Sequence, residues 1–105
     1  MIKVYGSKLC PDCMKLSMNL DVNRVKYDYV DINESLENLK ELLKLRDSDP
    51  IFDESKASGA IGIPAIIMED GTLTLDWEQV VRDLGFEPFD VEIGGTACNI
   101  DGSGC

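Results

Sequence analysis

A Cys-x-x-Cys placed where a short β-rich run turns into a helix constrains this chain more than any other feature. Ile2-Lys3-Val4-Tyr5 is β-branched and aromatic, Gly6 closes it, and Cys10-Pro11-Asp12-Cys13 follows. Proline is suited to the first helical turn, where its missing N–H would lack an intrahelical partner anyway. A helix is therefore expected from Pro11 to about Leu20. Lys26 to Ile32, with Tyr27 and Tyr29 alternating against polar residues, reads as a second strand. Strand, helix and strand together make a right-handed βαβ unit, with two thiols at its first crossover.

The later pattern adds layers to that unit. Asn33 is a candidate N-cap, and Leu36, Leu39, Leu42 and Leu43 form the apolar face of a second helix. Asp47-Ser48-Asp49-Pro50 stops it, and Ile51 to Ser58 predicts a short extra helix ended by Gly59. Ala65 to Glu69 reads as a third strand, and Asp70-Gly71 is a two-residue hairpin signal leading to Thr72–Leu75. Asp76 then caps a last helix, with Gln79 three residues on and Trp77, Val80, Val81 and Leu84 on its buried face. The order β-α-β-α-(α)-β-β-α, with the cysteine pair at the first strand-to-helix junction, predicts an α/β protein of thioredoxin-like fold. Its expected core is a four-stranded mixed sheet flanked by helices. Residues 1–86 are read as that domain, and residues 87–105 as a glycine-rich tail carrying Cys98 and Cys105.

Composition narrows the chemistry. The 105 residues suffice for one core without obligatory staples, and four cysteines are far fewer than a small secreted disulfide scaffold carries. Twenty acidic against ten basic residues give a charge of -10, which repels nucleic acid and anionic membranes. The sequence contains no histidine, which removes imidazole base catalysis and histidine metal ligands. The chain enters its first strand at once and holds no long apolar run, so a cytoplasmic location is expected. In that compartment a Cys-x-x-Cys is more often catalytic or metal-binding than a structural bridge.

Disulfide exchange needs one thiolate to attack and a second thiol to resolve the mixed disulfide. At a helix start, unpaired N–H groups and the macrodipole contribute up to about 2 kcal/mol to an anion, enough to lower a thiol's pKa by roughly 1.5 units. Cys10 is accordingly the expected nucleophile, and Cys13, one turn further in, the more buried resolving thiol. Lys8 reads as a solvated surface lysine before it reads as an aid to the thiolate, whereas the charge of Asp12 would oppose the thiolate, leaving Cys10 only moderately acidic. Gly62-Ile63-Pro64 precedes the third strand, where a proline cannot donate to the ladder and Ile63 would offer backbone groups to an extended substrate. Cys98 and Cys105 fit a second redox pair, two ligands of an all-cysteine metal site, or incidental thiols.

Cys10-Pro11-Asp12-Cys13, Gly62-Ile63-Pro64 and the helix begun by Asp76 together resemble the glutaredoxin family over about residues 1–86. Leu43 to Ile66 is similar to the longer segment of small bacterial glutaredoxin-related proteins. The resemblance implies a cis Pro64, dithiol-disulfide oxidoreductase activity, no required cofactor, and a disulfide-containing protein or small-molecule thiol as substrate. A reductase or dithiol donor would restore the enzyme. Substrate contacts would fall to Lys8, Ile63, Pro64 and Asp76, with Pro11 and Asp12 modulating the cysteines. The chain departs from the family in three places, the first being Ser7 where a lysine is usual three residues before the nucleophile, with Lys8 one step later. Asp12 stands where an aromatic residue is usual, and Thr74-Leu75-Asp76-Trp77 replaces the Gly-Gly-x-Asp run that holds glutathione. Those departures argue against glutathione as co-substrate. The rival reading is a cysteine-ligated metal or iron–sulfur module.

Overall fold

The computed structural model describes residues 1–90. Four strands, β1 (Ile2–Gly6), β2 (Tyr27–Asp31), β3 (Ala65–Ile67) and β4 (Leu73–Thr74), form one sheet in the order β2-β1-β3-β4. β1 and β2 are parallel, with Val4 opposite Tyr29 and Gly6 opposite Asp31. β3 runs antiparallel to β1 and pairs through the hairpin with β4. This mixed sheet with helices on both faces is the expected thioredoxin-like arrangement.

The two-residue period of β1 sorts its side chains onto two faces. Ile2 and Val4 join Leu16 and Leu20 of α1 (Pro11–Val22) and Trp77, Val80 and Val81 of α4 (Trp77–Asp83) in one buried cluster. Tyr5 faces the other way, into a cluster with Val30, Ile32, Leu42, Phe52, Ile63 and Ala65. That face is covered by α2 (Leu36–Ser48), the 3₁₀ turn Pro50–Phe52 and α3 (Asp53–Ser58).

α2 differs from expectation in its cap and its stripe. Ser35, not Asn33, is the N-cap, its hydroxyl accepting the Asn38 N–H at 3.1 Å. Asn33 lies in the turn after β2, where its side-chain oxygen takes a hydrogen bond from Ser7 instead. Leu36 is 73% exposed and Leu43 39%, while Leu42 is wholly buried with Leu39 and Leu45 beside it. The helix rests on the sheet through its later turns, so a leucine at its first position projects into water.

Phe52 is fully buried beneath Gly62, where a Cβ would lie 2.6 Å from the ring. Gly62 has φ +92°, in the left-handed region that suits glycine, and the Ile63–Pro64 bond that follows is cis. Beyond α4, residues 86–90 carry no regular secondary structure and return to α1. There the amide of fully buried Asn19 donates to the Phe89 carbonyl at 3.0 Å and accepts the Phe89 N–H at 3.0 Å.

Candidate active site

α1 starts at the cysteine pair because Cys10 is its N-cap, with extended backbone (φ -95°, ψ 119°), and Pro11 takes the first turn. The Cys10 sulfur accepts the N–H of Cys13 at 3.4 Å, in the place a serine or aspartate oxygen usually fills. Cys10 Sγ thus stands at the positive end of the helix, as the sequence reading placed it. The loop before it is held by Ser7. Its carbonyl accepts the Cys10 N–H at 3.1 Å, and its hydroxyl accepts the Leu9 N–H at 3.1 Å while donating to Asn33.

The two cysteines differ in state rather than in burial, Cys10 being 1% and Cys13 0% exposed. Cys10 is engaged in a disulfide, whereas Cys13 is a free thiol. Burial pushes the Cys13 thiol up to about 12; the charges of Asp12 and Asp31 add to that, and hydrogen bonding from the Ser7 and Cys13 backbone opposes it. Asp12 therefore bears on the inner thiol, keeping its proton on.

Ile63, 3% exposed, is packed in the same cluster as both cysteines, and Pro64 beside it is buried. Lys8 is exposed at the rim of a cavity of about 430 Å³ that Tyr29, Asp31 and Glu34 also line. Asp76 caps α4, its carboxylate accepting the Gln79 N–H at 3.1 Å. Cys98 and Cys105 lie outside the described residues. Among the described residues no group of three or more Cys, Asp, Glu or His side chains is gathered to hold a metal ion, and no helix is long and apolar enough to cross a membrane.

Three residues of the site escape a sequence reading. Ser7 reads as a loop residue, and its hydroxyl network is visible only in three dimensions. Gly6 reads as a strand end, yet a Cβ there would lie 2.7 Å from the Tyr29 hydroxyl and 3.1 Å from Cys13 Sγ. Tyr29 reads as one more β-strand aromatic, but its hydroxyl is buried and has no hydrogen-bond partner among the described residues.

Comparison with known proteins gives two findings. Residues 2–70 match the family model described as Glutaredoxin. The chain is also 44% identical over 73 residues to an uncharacterized protein of Haemophilus influenzae, a match spanning 70% of this chain and 85% of that one. No solved structure matches it.

Proposed function

The chain belongs to the glutaredoxin family, and from that membership we propose that it is a thiol-disulfide oxidoreductase working through Cys10 and Cys13. The Cys10 thiolate attacks a substrate disulfide, forming a mixed disulfide and releasing one substrate thiolate. Cys13 then displaces the second substrate thiolate by bonding to Cys10. Two electrons pass from the dithiol to the substrate. The observation that carries this reading is the Cys10 sulfur capping α1, with the free, protonated Cys13 thiol one turn behind it.

Buried Ile63 and Pro64 beside the pair support a substrate seat in which an extended segment pairs with Ile63 backbone. The substrate is a disulfide-containing protein or a small mixed disulfide, reduced in the cytoplasm.

Cys98 or Cys105 is proposed to exchange with Cys10 as an internal dithiol donor. Cys10 is in a disulfide while Cys13 is free, which supports an exchange partner other than its neighbour. The path of the last described residues supports it too. Phe89 is held on Asn19 and Asp90 on Lys15, one turn nearer the N-terminal end of α1, through an ion pair of 2.8 Å. The chain is therefore heading towards Cys10. From Asn19 back to Cys10 is about 13 Å along the helix, and the eight residues from Asp90 to Cys98 span up to about 28 Å when extended.

Reduction of a small mixed disulfide by Cys10→Ser tests the reaction. Turnover is expected to vanish, and retained turnover overturns the enzyme reading. Mass mapping of disulfides in graded redox buffers tests the relay. A trapped bridge between Cys10 and a tail cysteine is expected, and tail thiols that never oxidise would remove it.

A further inference from the structure

The Tyr29 hydroxyl is buried without a hydrogen-bond partner among the described residues, and it sits beside a sulfur that must become an anion. Gly6 on β1 is opposite Asp31 on β2, so Tyr29, two residues earlier, presents its ring on the α1 side of the sheet and reaches up the strand. Its oxygen and Cys13 Sγ share the space that a Gly6 side chain would fill. No hydrogen bond of the phenol holds that arrangement in the present state, since the hydroxyl has no partner among the described residues. A buried donor left unpaired is costly, so its retention calls for a state in which it is used.

We propose that the Tyr29 hydroxyl is the hydrogen-bond donor to the Cys13 sulfur as it becomes a thiolate in the resolving step. This rests on the reading of Cys10 as nucleophile and Cys13 as resolving thiol. The carboxylates acting on Cys13 make the need plain, because Asp12 on α1 and Asp31 on β2 both work against a thiolate there. Lys8 lies at the rim of the cavity that Tyr29 and Asp31 line, with Glu34 and Asp21 also on its wall. What opposes those charges at the sulfur is dipolar, the backbone of Ser7 and of Cys13, and the phenol adds a further donor to them. Burial, with the negative charges of Cys13 and Asp31 next in effect, holds the phenol's own ionisation well above its usual range, so it keeps its proton and donates. In the step itself, Cys13 gives its proton to the departing substrate sulfur and its electron pair to Cys10. The Cys10–substrate S–S bond breaks, and the Cys10–Cys13 bond forms. Tyr29 transfers nothing.

Tyr29→Phe removes only the oxygen. A preformed mixed disulfide between Cys10 and a chromophoric thiol, made with wild-type and with Tyr29→Phe protein, is followed as it releases that thiol, across pH 6 to 10. Release by Tyr29→Phe is expected to be about tenfold slower at each pH, with the rise in rate displaced to higher pH. The melting temperature should hold or increase, because an unpaired buried hydroxyl is gone. Equal release rates and superimposable pH profiles overturn the role of Tyr29. Failure of the wild-type protein to release the thiol would instead overturn the underlying assignment of Cys13.

Discussion

Asn19 and Phe89, seventy residues apart, hold each other by a two-way hydrogen bond, side-chain amide to backbone on one and backbone to side-chain oxygen on the other. The asparagine is wholly buried on the same face of α1 as Leu16 and Leu20, and its amide also donates to the Lys15 carbonyl at 2.8 Å. Truncation would leave the Phe89 N–H and C=O without their partner. Asn19→Ala is expected to cost about 1–3 kcal/mol in urea denaturation. It should also slow any exchange between the tail thiols and Cys10, since the chain would no longer leave α1 at a fixed point. A variant as stable as wild type would mean that the Phe89 groups are equally well served by water.

Gly6 admits two polar atoms into the space of one side chain. In Gly6→Ala the new methyl would meet the Tyr29 hydroxyl at 2.7 Å and Cys13 Sγ at 3.1 Å, both inside ordinary contact. Overpacking of this kind costs roughly 1–3 kcal/mol. For a domain of this size that lowers the melting temperature by about 4–8 °C per kcal/mol. A calorimetric scan reads it directly.

The Cys13 thiol makes stability fall in alkali. Its folded pKa of about 12 lies above the ordinary 9.0, so the unfolded chain releases this proton first. The contribution is fully present below about pH 9 and is lost progressively as pH rises towards 12, amounting to a few kcal/mol at most. Cys13→Ser cannot ionise there. Its unfolding free energy should decline less steeply than wild type between pH 9 and 11, and parallel curves would show that Cys13 is not shielded from solvent.

Phe52 supports the segment that carries Ile63 and Pro64. Phe52→Ala would empty the space beneath Gly62 and is expected to cost about 3–5 kcal/mol, judged by chemical denaturation. Where enough folded protein remains, turnover of a small disulfide should fall as well, through a loosened Ile63.

Much of this site was legible in local sequence. Cys10 and Pro11 start a helix wherever they stand, because the cap and the missing proline N–H are properties of consecutive residues. Gly59 closes α3 in left-handed backbone, and Gly71 with Asp70 turns the hairpin, for equally local reasons. Ser35 rather than Asn33 caps α2 although both are good cap residues, because the Asn33 side chain is taken by Ser7 from the loop after the neighbouring strand.

What the sequence determined alone is the order of elements, the thiol pair at the first helix start, the acidic surface and the lack of imidazole chemistry. Each follows from residue type and from spacings of two to four positions. Tertiary structure alone decided that Leu42 rather than Leu36 enters the core, that Asn19 receives the returning chain at Phe89, and that Gly6 makes room for Tyr29 beside Cys13. Those depend on which strands and helices lie across from one another, and pairings between residues 20 to 70 positions apart leave no periodic mark in the chain.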